Sequence, residues 1–265
     1  MTRNAPVLRS ALGLLSVRLV LQQLGLALVV FALCTLWLRM PDASAIEVIG
    51  SALLALIILA VAGAGESTLI LRLADRPRTP VSLLRGTLCL IAGVALWFAW
   101  GALLDHLHGD DYLRAGYLNS RFPHSLRYFF TFEHLVLWLG WMWTALEWIG
   151  AGVIAIFVFA ATSSTRPLQS ISRSLRSLAY WIAVVLGVTA ATVLAGSLIE
   201  WMPGHGLRIE MASLILRLSV AALVDATVVC LLLAILAACI RQTNTSYSTP
   251  EGTPVESQPR TVENP

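Results

Sequence analysis

Lysine is absent from this 265-residue chain, and all 18 basic side chains are arginine. That bias is read as genome composition rather than function. The arginines are spread along the chain, whereas a nucleic-acid binder needs a clustered basic face; no nucleic-acid partner is expected. Charge of either sign is scarce. Charged residues make up 12% of the chain, against roughly 25% in an ordinary soluble domain. So little charge cannot cover a globular surface in water. The four cysteines, Cys34, Cys89, Cys230 and Cys239, all lie in apolar runs without metal-ligand spacing. They are read as small hydrophobes, with neither a structural disulfide nor a zinc site. There is no G-x-x-x-x-G-K-[ST] loop, no H-E-x-x-H helix and no G-x-S-x-G elbow. No cofactor motif and no catalytic residue is therefore assigned.

What is present is apolar sequence. Hydrophobic residues make up 57% of the chain and the mean hydropathy is +0.78. Six apolar runs approach or exceed the length that crosses a bilayer, about 20 residues. They are Leu19–Leu38, Ile46–Leu71, Leu88–Leu104, Tyr128–Ala161, Tyr180–Ile199 and Met211–Ile240. The expected fold is all-α, a polytopic bundle of about six transmembrane helices with short loops. Residues 1–18 form an N-terminal segment, 19–240 the transmembrane domain and 241–265 a tail. The tail is rich in Thr, Ser, Pro, Glu and Gln and is expected to be disordered, because it has too few large apolar residues to offset its ordering entropy.

Arginine placement sets the expected orientation. Arg3, Arg9, Arg18, Arg72, Arg76, Arg78, Arg85, Arg166, Arg173, Arg176 and Arg241 fall on one side; Arg39, Arg114, Arg121, Arg127 and Arg208 fall on the other. The richer side is the cytoplasmic one. Both termini are therefore placed in the cytoplasm, and the protein in a bacterial inner membrane. The step Ala43-Ser44-Ala45 after the first run resembles a signal-peptide cleavage site. That run is about 20 residues, however, against 7 to 15 for a signal core, and it is read as an uncleaved first helix.

The segments that lead into outward-running spans share a Leu-Arg step, at Leu8-Arg9, Leu84-Arg85 and Leu175-Arg176. The charge rule alone accounts for this, and no internal repeat is assigned. From Pro6 to Arg18, residues Val7, Leu8, Ala11, Leu12, Leu14 and Leu15 fall mostly on one helical side. That suits a helix lying in the membrane surface, or an extension of the next span. Residues 166–178 show a weaker version.

Charges inside spans are functional candidates by default. Four stand out: Glu66, Glu147, Arg217 and Asp225. Glu66 lies close enough to one end to be structural. Arg217 and Asp225 cost up to ~3 kcal/mol each at a helix centre, and each Leu, Ile or Val returns about 0.3 to 0.6. The last span thus inserts only marginally, and Asp225 is expected to contact Arg217 or Glu147 within the bundle. Trp143 and Trp148 flank Glu147, and packing is the favoured role for both.

All five histidines fall on the predicted outer side. There the stretch Asp105-His106-Leu107-His108-Gly109-Asp110-Asp111 joins imidazoles to carboxylates. His106, His108, Asp110 and Asp111 are weak metal candidates, because a site needs three or four converging ligands. A solvated loop and a pH sensor are the alternatives. In the same connection, Tyr112, Tyr117, Phe122 and Pro123 argue for order at the interface.

Three functions stay open. The first is a non-catalytic accessory, assembly or lipid-associated membrane protein, partnered by the lipid bilayer and by another membrane protein or a second copy. The second is a small secondary transporter using Glu147, Asp225 and Arg217. The third is a membrane-embedded enzyme built on the outer His/Asp cluster.

Overall fold

The computed structural model describes residues 5–41, 43–123, 128–200 and 206–245. Among these residues the regular structure is all helical. Six helices are long and apolar enough to cross a membrane: α2 (Val17–Leu38), α3 (Ala45–Leu73), α4 (Pro80–His108), α6 (Phe132–Ser163), α8 (Leu178–Glu200) and α9 (Leu207–Thr245). Three short helices join them: α1 (Ala5–Leu14), α5 (Asp111–Arg121) and α7 (Pro167–Leu175). The chain is thus an all-α membrane bundle, as the apolar runs imply. The tail expected to be disordered from residue 241 instead begins as helix, because residues 241–245 continue α9; residues 246–265 lie outside the described residues.

The spans alternate in direction. One end of the bundle, here the near end, holds α1, α7 and both ends of the described chain. The other, far end holds α5. Local signals explain the breaks. Ser16 is extended and its hydroxyl accepts from the Leu19 amide at 3.3 Å, so α1 is a separate helix and not a continuation of α2. Ser44, central in the step that resembles a cleavage site, forms a reciprocal capping box with Glu47 at the start of α3. Thr79 and Ser82 do the same for α4, with Pro80 at its first turn. Between α3 and α4, Asp75 adopts a left-handed φ of 56°. The Arg76 amide reaches back to the Leu71 carbonyl at 2.9 Å and the Asp75 amide to Arg72 at 3.2 Å. This is a Schellman stop that returns the chain across the near end.

Small residues let neighbouring helices touch. A Cβ at Gly86 on α4 would sit 2.8 Å from Ser67 Cβ on α3 and 2.9 Å from Thr162 Cγ2 on α6. Only glycine permits this three-helix junction. Gly150 plays the same part further out, under the Trp100 indole, whose N–H donates to the Leu146 carbonyl at 3.2 Å.

The core sits at the near end. There residues 234–240 of α9 are almost wholly enclosed, with α1, α2 and α7 packed against the helix. Val7 and Ala11 of α1 and Ile171 of α7 join the same cluster. Leu8 and Leu12 of α1 stay exposed, so α1 docks through Val7 and Ala11, with Leu14 packed beside them, and keeps Leu8 and Leu12 outward. Arg241 fastens this end further: its guanidinium donates to the Leu73 carbonyl at 2.9 and 3.2 Å, satisfying one of the acceptors left at the end of α3.

Candidate functional site

The four intramembrane charges do not converge. Glu66 is the one turned inward. Its carboxylate accepts from Gln23 Nε2 of α2 at 2.6 Å, and Gln23 itself is buried. This bond joins α2 to α3 next to α9. Near the end of its run, Glu66 carries the least weight of the four by sequence, and Gln23 is not among them. The signal was there: Gln22-Gln23 is the only polar step within the run Leu19–Leu38 long enough to bridge to a neighbour.

Glu147 and Asp225 are both exposed on the flanks of the bundle. Among the described residues neither side chain makes a hydrogen bond or an ion pair. Asp225 lies near the middle of α9, level with the central turns of α8. Three residues towards the near end, Val228 packs on Gly187 of α8, where a glycine Cβ would meet Val228 Cγ1 at 2.6 Å. Gly187 in turn lies roughly 13 Å along α8 at 1.5 Å per residue. The expected contact of Asp225 with Arg217 or Glu147 is not made.

Arg217, on α9, reaches across to the end of α8. Its Nη1 donates to the Leu198 carbonyl at 3.0 Å and its Nε to the Ser213 carbonyl at 3.3 Å. Leu198 lies in the last turn of α8, where unsatisfied carbonyls and the negative end of the helix dipole favour a cation. α9 has 39 residues, roughly 58 Å of helix, far more than a bilayer core. Counting from its ends therefore does not fix depth.

At the far end, the connection read as a loop contains a helix. Asp111 begins α5 and its carboxylate is 5% exposed, low enough to need partners. It has three: the Trp143 indole N–H at 2.6 Å, His108 Nδ1 at 2.8 Å and Arg114 Nη1 at 3.4 Å. His108 also meets the Trp143 ring edge-on. Tyr112, Leu113 and Tyr117 face outward from α5, as interfacial residues do. The order argued from the aromatic residues is present, and Trp143 marks the far boundary rather than the wall of a deep cavity.

Of the four metal candidates, His108 and Asp111 come together; the side chains of His106 and Asp110 make no hydrogen bond or ion pair among the described residues. Among these residues no group of three His, Cys, Asp or Glu side chains gathers as a metal site requires. His124 and His205 lie outside the described residues. Chemically, the His108–Asp111–Arg114–Trp143 group is a tether of α5 to α4 and α6, with three side-chain donors converging on one carboxylate.

No protein-family model, curated protein or solved structure matches the chain.

Proposed function

We propose that this chain is a non-catalytic, multi-pass membrane protein that works by lateral association, as an accessory or assembly subunit of another membrane protein. The observation that carries this reading is Asp225. A carboxylate at mid-membrane on an outward face costs about 2.5 to 3.5 kcal/mol by insertion scales, and no described neighbour offsets that. Leu218 and Val229 share its helical face and are exposed. A second transmembrane segment bearing a hydrogen-bond donor would satisfy Asp225 and cover those side chains, since polar residues glue membrane helices together. Glu147 supports the same reading on α6. The transport alternative needs Glu147, Asp225 and Arg217 about one path, and their separate placements do not favour it.

A bacterial inner membrane with the near end in the cytoplasm is supported by the arginines. Arg9, Arg18, Arg72, Arg76, Arg78 and Arg85 lie at that end, as do Arg166, Arg173, Arg176 and Arg241. This is the excess that cytoplasmic segments carry.

A photo-crosslinking side chain at Leu218 or Val229 tests the association. In native membranes it should yield one discrete protein adduct, lost on Asp225→Leu and kept on Asp225→Asn, which still hydrogen-bonds. Adducts to lipid alone, or an adduct indifferent to Asp225→Leu, would overturn the reading.

A further inference from the structure

A groove of about 230 Å³ opens between α2 and α3 at the near end of the bundle. Its mouth is polar: Gln22 from α2, Arg72 from the last turn of α3 and Arg78 from the turn beyond it. Its floor, one turn deeper in the membrane, is Leu26 and Leu69. Leu26 lies directly on Gly65, where a Cβ would fall 2.7 Å from Leu26 Cδ2, so the two helices close beneath the groove.

The two guanidinium groups carry uncompensated charge. Arg72 Nη1 donates to Gln22 Oε1, which orients it across the mouth without neutralising it. Among the described residues neither Arg72 nor Arg78 forms an ion pair. The carboxylates nearby in sequence are engaged elsewhere or turned away. Glu66 is bonded to Gln23, and Asp75 is exposed in the turn without pairing to either arginine.

We infer that this groove binds the phosphate headgroup of an anionic phospholipid, with an acyl chain laid over Leu26 and Leu69. Three features point to a lipid. The order of chemistry with depth, cations outermost and leucines inward, matches an amphiphile lying along the helices. Guanidinium forks bind phosphate oxygens in pairs of parallel hydrogen bonds. Basic pockets between transmembrane helices at a membrane boundary are sites for anionic headgroups. A second groove at this end makes the contrast. It is formed by one face of α4, with Arg85 as its single cation among Val81, Leu84 and Leu88, and offers no paired guanidinium. The lipid site is independent of the association reading, because it lies on α2 and α3 and Asp225 on α9.

The test titrates the full chain, purified in a neutral detergent, with phosphatidylglycerol, with phosphatidylcholine of the same chains, and with inorganic phosphate. Thermal unfolding and lipid retention by native mass spectrometry are both read. Phosphatidylglycerol should raise the melting temperature and stay bound, whereas phosphatidylcholine and phosphate should do neither. Arg72→Gln combined with Arg78→Gln should weaken phosphatidylglycerol binding roughly tenfold or more, and Arg85→Gln should leave it unchanged. Arg78→Gln alone alters a residue that makes no hydrogen bond or ion pair among the described residues. It tests the site, with a smaller loss expected, even if the double variant folds poorly. Equal binding of phosphatidylcholine, an equal loss on Arg85→Gln, or full retention by Arg78→Gln would overturn the site. A shift reproduced by phosphate alone would overturn the lipid as its source.

Discussion

The two halves of α9 have similar composition and opposite surroundings. From Ala234 to Ile240 no residue is more than 3% exposed, whereas Leu214, Ile215, Leu216 and Leu218 are each more than half exposed. The difference lies in the neighbours. The near half is enclosed by α1, α2 and α7 together, while the far half runs alongside α8. Short helices at the near end thus do what a longer bundle would otherwise require: they supply a core. The far half needs no cover for its leucines, because lipid tails are as apolar as leucine. Asp225 is the exception on this helix, where outward exposure carries a cost.

The largest test of this contrast is Ala237→Leu. Ala237 is fully enclosed, and adding three carbons to a filled site costs about 3 kcal/mol or more. The variant should melt far below the parent in detergent or fail to fold. Unchanged melting would mean that the near end is not closed.

Asp111→Ala comes next, at the far end. It strips the partner from Trp143, His108 and Arg114 and should cost about 2 kcal/mol, with the effect confined to α5. Amide exchange should rise over residues 111–121 and stay fixed over 234–240. Loosening of both regions would show that the two ends are one cooperative unit.

Gln23→Leu removes the partner of the inward carboxylate Glu66. A side-chain hydrogen bond of this kind contributes about 1 kcal/mol, so a moderate loss of thermal stability is expected. Glu66→Gln combined with Gln23→Leu should cost less than the sum of the two single changes. Additive losses would separate the two residues.

The smallest effect belongs to Ile215→Ala and Leu216→Ala. Both side chains face outward, so each change should stay within about 0.5 kcal/mol. A loss comparable to Ala237→Leu would place a core in the far half.

The spans were legible because length and hydropathy suffice to find them. Their ends were displaced. The run read as Leu88–Leu104 extends to Pro80–His108, because Thr79, Pro80 and Ser82 supply a helix start that hydropathy does not register. The helix Asp111–Arg121 was read as a loop although it begins on acidic residues and ends on Arg121, which are ordinary helix signals. Which charges face inward was not legible. The long spans are apolar on every side, so no stripe of sequence marks an inner face. Glu66 and Asp225 differ only in what lies beside them, and that follows from how the helices pack.

Asp225→Leu puts the outward placement of Asp225 to the most direct test, read as thermal unfolding of the monomer in detergent beside crosslinked-adduct yield in membranes. The monomer should melt at or slightly above the parent temperature while the adduct is lost. A clearly lower melting temperature of the monomer would place Asp225 in a buried contact and contradict the account.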